Sequence, residues 1–181
     1  MDTAPAQRRF TVDEYYAMAR AGILTADDRV ELIEGRILAM SPIGSRHAAC
    51  VKRLARLLHE RLGDHAIVGV QDPVRLGDLS EPEPDVSLLT PRADFYAAAH
   101  PGPADVLLLV EVADTSAGVD RRVKLPLYAR SGIAEVWLVV LDEDAVEVHR
   151  SPGPDGYGDR ARHERGDLVH PAAFPEATLA V

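Results

Sequence analysis

The sequence has little cysteine and no long hydrophobic run. Cys50 is its single cysteine, which excludes an internal disulfide and a cysteine-rich zinc site. The first residues lack the apolar core of a signal peptide. The longest apolar stretches, Val106–Val110 and Val136–Leu141, are far shorter than the roughly 20 residues of a membrane-spanning helix. We therefore expect a cytoplasmic protein that does not enter the membrane.

Positive charge is also scarce, because 20 lysines and arginines face 29 aspartates and glutamates, giving a net charge of −9. Such a balance argues against strong, indiscriminate binding of nucleic acid, although a local basic groove remains compatible with it. The length of 181 residues, 46% of them hydrophobic, is enough for one buried core. We expect a single domain over residues 1–181, with residues 1–9 as a loose N-terminal lead.

The spacing of apolar residues and breakers predicts a mixed sheet flanked by helices, of the α/β or α+β class. A capping box at Thr11 and Glu14 predicts the start of a first helix. Two further helices are predicted at Ser45–Leu62 and Asp120–Arg130. Strands are predicted at Ile67–Val70, Val74–Leu76, Val86–Leu89 and Val106–Ala113, with hairpins at Val30–Met40 and Ile133–Arg150.

Two carboxylates stand where this pattern predicts burial. Glu111 interrupts the most hydrophobic strand, and Asp85 directly precedes another. A buried carboxylate costs several kcal/mol unless it is paired or bound to a cation. If the two strands end at the same sheet edge, the carboxylates lie close enough to require a proton or a hard metal such as Mg²⁺ or Mn²⁺.

Lys124 follows Glu111 by thirteen residues, in the next predicted helix, and can reach back over this site. A divalent ion, two carboxylates and a lysine are the groups that phosphodiester hydrolysis requires. Spacing alone leaves structural alternatives open. Asp85 can be a turn residue, and Lys124 can be a solvated lysine paired with Asp120 one turn earlier. Tyr128 and Trp137 lie in apolar segments and are predicted to be core residues.

The order of several short motifs resembles the Uma-two-type restriction endonuclease family of the PD-(D/E)XK nuclease superfamily. The matching pieces are Val30–Gly35, Met40-Ser41-Pro42 with His47, Glu83–Val86, Val110–Asp114, Asp120–Arg130 and Glu135-Val136-Trp137. The superfamily's lysine two residues after the second acidic residue is replaced here by Ala113. The resemblance implies that Lys124 takes its place from the following helix.

The resemblance further implies a restriction-endonuclease-like fold with one metal-dependent site. Its metal ligands would be Asp85, Glu111 and the Val112 carbonyl, holding Mg²⁺ or Mn²⁺. Glu31 would be a further acidic residue of the site.

Substrate phosphates would be contacted by His47, Lys52 and Arg121. A histidine at a helix start can equally be held by local hydrogen bonds. The basic residues that would line a DNA groove are Lys52, Arg53, Arg56, Arg121, Arg122 and Arg130.

These expectations describe a Mg²⁺-dependent DNA endonuclease. A non-catalytic binding or assembly module on the same fold is the alternative, because fold does not dictate activity. An enzyme acting on RNA or branched DNA is not separated from the first hypothesis by any residue pattern. We also expect a homodimer, because a nuclease that cuts both strands uses two sites. Its contact surface would come from the apolar pieces of Ile133–Arg150 or Asp167–Val181.

Overall fold

The structure, a computed structural model, describes residues 7–25, 27–114 and 117–181. Its α-helices are α1 (Val12–Arg20), α2 (Ser45–Leu62), α3 (Ala117–Val119) and α4 (Leu125–Arg130). Its strands are β1 (Val30–Ile33), β2 (Arg36–Ala39), β3 (Ile67–Gly69), β4 (Val86–Leu89), β5 (Val106–Ala113), β6 (Glu135–Val140), β7 (Ala145–Gly153), β8 (Gly156–Glu164), β9 (Leu168–Val169) and β10 (Leu179–Ala180). The predicted lead of residues 1–9 lies partly outside the described residues.

A six-stranded mixed sheet, in the order β3-β4-β5-β6-β7-β8, forms the centre of the fold. The neighbouring strands are antiparallel except for β5 and β6, which are parallel and are joined through the helical residues 117–130. The nearly continuous apolar sequence of β5 fits its central place, because both faces of this strand are covered. The predicted mixed sheet flanked by helices is confirmed.

The two faces of the sheet carry different helices. Alternate residues of β5, such as Leu108 and Val110, pack with Val51 and Leu58 of α2 in one hydrophobic cluster. The intervening residues, such as Leu109, pack on the other face with α4. Glu111 has the same parity as Leu109 and therefore belongs to the α4 face of the sheet.

The β1–β2 hairpin stands apart from the main sheet, and Leu32 forms an isolated bridge with Glu81 in the segment between β3 and β4. Its turn residues, Glu34 and Gly35, have φ values of 48° and 76°. Two consecutive left-handed residues form the type I′ turn that suits the twist of a two-residue hairpin. This hairpin carries Glu31 to the α4 side of the molecule, where its carboxylate meets the helical residues 117–130.

One predicted strand is wrong. Residues 74–76 are not part of any ladder, although their backbone N–H groups are satisfied individually. Val74 donates to the carbonyl of Pro82, and Leu76 donates to that of Ser80. The facing segment contains Pro82 and Pro84, which have no N–H to return, so a regular ladder cannot form. The residues around Phe95–His100 form turns.

The helix predicted at Asp120–Arg130 is present but not uniform. Residues Asp120–Lys124 form a π-helical turn between α3 and α4. Pro126 explains this irregularity, because it has no N–H for the carbonyl of Arg122, its α-helical partner four residues earlier. A π turn shifts the direction of the side chains around it, and such turns are frequent at functional sites.

Most of the apolar residues expected to form a dimer surface are buried within one chain, and Leu168 is the exception, being exposed. Strand β6 is almost entirely buried, and Val169, Ala177 and Leu179 of the C-terminal region belong to the cluster under α2. The observation that motivated this surface is therefore accounted for by the fold, and the homodimer stays a prediction. None of the helices in the described part of the chain combines the length and apolarity needed to span a membrane.

Candidate active site

Two strand ends and a helix bring the predicted acidic residues to one edge of the sheet. The β4–β5 register pairs Val86 with Val110, so Asp85, one residue earlier, stands opposite Glu111. The backbone N–H of Val112 donates to Asp85 Oδ2 at 2.8 Å, which ties the Asp85 carboxylate to the residue that follows Glu111. Both carboxylates are buried, as is Glu31.

Lys124 reaches this edge from the π-helical turn. Its Nζ lies 3.3 Å from Glu111 Oε1 and 3.2 Å from Glu31 Oε2. The side chain is only 11% exposed, so Lys124 is a buried cation between two carboxylates and not a lysine of the helix surface. It also has a favourable electrostatic interaction with Asp120, the partner that the structural alternative proposed.

The pKa values of this pair show how the charges are balanced. Burial raises the pKa of Glu111 to about 8, an effect that Lys124 opposes and the Asp85 carboxylate reinforces. Burial also acts to lower the pKa of Lys124, but Glu111, Glu31 and Asp120 outweigh it and raise that pKa above its ordinary value. The lysine is therefore the firmly charged member, whereas Glu111 takes up a proton readily unless a further cation compensates its charge.

His47 at the start of α2 binds Asp85. Its Nε2 lies 2.9 Å from Asp85 Oδ2. Because a carboxylate only accepts, this nitrogen carries the proton, and the other nitrogen, Nδ1, is an acceptor in the neutral ring. Nδ1 is buried and has no hydrogen-bond partner among the described residues.

Gln71 is a site residue that the sequence analysis missed. Its side-chain amide donates to Asp85 Oδ1 at 3.2 Å, and its backbone N–H donates to the Asp85 carbonyl. Gln71 has a φ of 56°, a left-handed conformation that is uncommon for a residue with a side chain. Extending the β3–β4 register of Gly69 with Ser87 places Gln71 opposite Asp85, so the sheet edge presents Gln71, Asp85 and Glu111 in one row.

Tyr128 is a second residue whose contact with the site was not predicted from the sequence. It is fully buried, as predicted for a core residue, and its hydroxyl donates to Glu111 Oε1. The available signal was its spacing, because Lys124 and Tyr128 are four residues apart on the helical segment and project to the same side. A buried tyrosine hydroxyl needs a polar partner, and Glu111 is that partner.

The predicted phosphate-contacting residues are spread over the molecule. Lys52 is exposed on α2, on the opposite face of the sheet from Arg121. Arg121 binds Glu147 on β7 through two guanidinium nitrogens. The six basic residues expected to line one groove are divided between these two faces, and Arg56 and Arg130 are engaged by Glu60 and Glu34. They do not form one continuous basic surface.

The chemistry of the donor set fits a divalent cation. Four carboxylates, those of Glu31, Asp85, Glu111 and Asp120, are buried in this region, whereas Lys124 is the one buried lysine or arginine within the described residues. The excess of buried negative charge is what a bound cation would compensate. No group of three or more histidine, cysteine, aspartate or glutamate side chains in the described part of the chain is arranged as a metal cluster. A ligand set of two carboxylates and a backbone carbonyl contains only two such side chains and therefore does not require a cluster of three.

The sequence pattern of the Uma2 family, described as "Putative restriction endonuclease", matches residues 12–181. The chain belongs to this family. A crystal structure from Anabaena variabilis ATCC 29413, described as a putative nuclease belonging to DUF820, has the same fold, with a TM-score of 0.71 and 18% sequence identity. The alignment covers 95% of this chain and 94% of the other. A search of curated proteins gives no match.

Proposed function

We propose that the chain is a metal-dependent DNA endonuclease whose site is formed by Asp85, Glu111 and Lys124. The observation that carries the proposal is the buried contact of Lys124 with Glu111, on the helix that follows β5. This contact supports Lys124 as the replacement for the lysine that is absent at Ala113. Membership of the Uma2 family supports the same activity.

Asp85, Glu111 and the Val112 carbonyl are the proposed ligands of Mg²⁺ or Mn²⁺. The N–H of Val112 points toward β4, where it binds Asp85, and the carbonyl of the same strand residue points to the same side. Extending the register places Pro84 opposite Val112, and a proline has no N–H to donate to that carbonyl. The proline of the Pro84-Asp85 motif thus leaves this oxygen free for a cation.

When bound, the cation lowers the pKa of a coordinated water and offsets charge that develops on the phosphate. Lys124 positions the attacking water or stabilises the developing charge from its place beside Glu111. Glu31 holds the ammonium of Lys124 from the opposite side. His47 and Gln71 fix the orientation of Asp85, each through one of its carboxylate oxygens.

Plasmid DNA tests the proposal directly. Supercoiled plasmid incubated with the protein and Mg²⁺ or Mn²⁺ should be nicked or linearised, and EDTA should stop the reaction. Asp85→Asn and Glu111→Gln keep the side-chain shape and should abolish cleavage. Asp64→Asn, at an exposed position away from the site, is the matched control and should cleave at the parental rate.

Two results would contradict the proposal. Cleavage that persists in Asp85→Asn and Glu111→Gln would assign it to another site or to a contaminant. A folded parental protein that cleaves neither plasmid nor oligonucleotides with either metal would favour the non-catalytic binding module. An RNA substrate in parallel decides between DNA and RNA.

A further inference from the structure

A cavity lies beside the proposed active site, between α4 and the outer ribbon of β7 and β8. Its volume is about 360 Å³, within the range that holds small ligands. Leu125 and Pro126 form its apolar wall, and Tyr157 and His149 lie on the strand side. Three arginines, Arg121, Arg160 and Arg162, line the cavity together with two carboxylates, Glu147 and Asp155, so positive charge is in excess there in a protein of net charge −9.

His149 gives this cavity a buried ring nitrogen that makes no hydrogen bond within the described residues. The side chain is 8% exposed, and Nε2 makes no hydrogen bond with any described residue. The nearest carboxylate oxygen, Glu147 Oε2, lies 3.5 Å away without hydrogen-bond geometry. Burial lowers the pKa of His149, and the two arginines nearby, Arg160 and Arg121, act in the same direction against Glu147. A neutral imidazole at this place can donate or accept one hydrogen bond with a ligand.

Arg160 brings to the cavity a positive charge that no carboxylate of the described residues neutralises by direct pairing. Its Nε donates to the carbonyl of Tyr157, and its guanidinium pairs with no carboxylate in the described part of the chain. The other two arginines are engaged, since Arg121 and Arg162 both bind Glu143 and Glu147. Gly156 keeps the space at Arg160 open, because a Cβ there would meet Arg160 Nη2 at 3.3 Å.

The register of the sheet fixes the distance to the catalytic edge. Glu111 pairs with Leu138, and Leu138 pairs with Glu147, so the cavity lies two strands from Glu111. Two strand spacings amount to about 10 Å. Arg121 at the cavity and Lys124 at the active site lie on the same π-helical turn. A nucleic-acid strand bound at Lys124 therefore has a neighbouring nucleotide within reach of the cavity.

We propose that this cavity binds a nucleoside monophosphate unit, with its phosphate on Arg160, its base against Leu125 and Tyr157, and a hydrogen bond to His149 Nε2. The unit is either a nucleotide of the substrate strand that flanks the scissile phosphate or a free mononucleotide. The choice of a nucleotide over another phosphorylated ring rests on the proposed nuclease function. The observations of the apolar wall and of the unpaired Arg160 do not depend on that proposed function.

Calorimetric titration of the intact protein in EDTA tests the site without any cleavage step. The probes are deoxynucleoside 5′-monophosphates, a short single-stranded oligonucleotide and inorganic phosphate. We expect the mononucleotide to bind more tightly than phosphate alone. Arg160→Ala and His149→Phe should each weaken mononucleotide binding by about tenfold or more, which corresponds to about 1.4 kcal/mol. Arg165→Ala, which removes an exposed arginine just after β8, is the matched control and should bind like the parent.

The oligonucleotide distinguishes the two sources of the ligand. If it competes with the mononucleotide, the cavity binds a unit of the substrate strand, and Arg160→Ala should then raise KM for cleavage with little change in kcat. If it does not compete, the ligand is a free mononucleotide. Equal binding of phosphate and mononucleotide, or equal binding by the parent and Arg160→Ala, overturns the proposal. Mononucleotide binding in a protein that cleaves nothing would support the cavity while contradicting the nuclease.

Discussion

Lys124 contributes to stability as well as to the proposed chemistry. The sequence leaves two places open for it, over the site of Asp85 and Glu111 or in solvent beside Asp120. The structure buries it between Glu111 and Glu31, so its loss leaves two buried carboxylates with less compensation. The effect on folding must therefore be separated from the effect on cleavage.

We predict that Lys124→Met abolishes cleavage and also lowers the free energy of unfolding by about 3 kcal/mol, less where Glu111 takes up a proton. Urea unfolding in EDTA measures the stability, and plasmid cleavage measures the activity. Lys52→Met removes the other lysine of the chain from an exposed position and should change stability by less than about 0.5 kcal/mol. Equal stability of the two variants would show that Lys124 is not held as a buried cation.

Substitutions of Gln71 can separate the effect of its side-chain hydrogen bond from the effect of its left-handed backbone conformation. Gln71→Gly removes the hydrogen bond to Asp85 Oδ1 but suits the left-handed φ of 56° better than any side chain. We predict a melting temperature at or above that of the parent, together with weaker Mn²⁺ binding and slower cleavage. Gln71→Ala loses the same amide without relief of the backbone and should melt lower than Gln71→Gly. Mn²⁺ affinity unchanged in both variants would remove Gln71 from the site.

The sequence is informative about some of these residues and silent about others. Asp85 and Glu111 are visible because a carboxylate in an apolar strand conflicts with its surroundings. Gln71 is an ordinary polar residue after a short strand, and its role depends on the β3–β4 register, which one sequence does not supply. Tyr128 reads as a core aromatic, which it is, and only the structure shows that its hydroxyl reaches Glu111.

At the scale of elements, hydrophobic periodicity and stop signals were sufficient for most of the fold. Helix α2 covers the predicted Ser45–Leu62, and β4 covers the predicted Val86–Leu89. The predicted strand at Val74–Leu76 is wrong because the missing N–H groups lie in the facing, proline-containing segment and not in the strand itself. Pairing partners decide such cases, and local sequence does not identify them.

The π-helical turn is an element whose geometry we expect to matter for activity. Pro126→Ala restores an N–H to this segment, so the turn can relax to an α-helix and regain one hydrogen bond. That change would redirect Lys124 away from Glu111. We predict a cleavage rate lower by up to about 100-fold, with a melting temperature no lower than that of the parent. Parental activity in Pro126→Ala would show that the turn is not needed to place Lys124.

At the scale of the whole molecule, the prediction of a homodimer now rests on the need for two active sites alone. A protein that linearises a plasmid in one encounter needs a second site related by a two-fold axis. We predict a dimer in sedimentation velocity at micromolar concentration and linear plasmid as an early product. A monomer that only nicks the plasmid would contradict this prediction while leaving the active site unaffected.

Part of the net negative charge of the protein comes from the proposed active site. The buried acidic residues near Lys124 account for part of the −9, and they lie where a cation is proposed to bind. The proposed activity thus depends on that cation more than on any basic surface.

A structure of crystals soaked in Mn²⁺, with anomalous scattering data, tests this claim most directly. We predict an anomalous peak within coordination distance of Asp85, Glu111 and the Val112 carbonyl, about 2.0–2.3 Å from each oxygen, and no such peak in Asp85→Asn. A peak elsewhere, with this edge of the sheet unchanged at millimolar Mn²⁺, would contradict it.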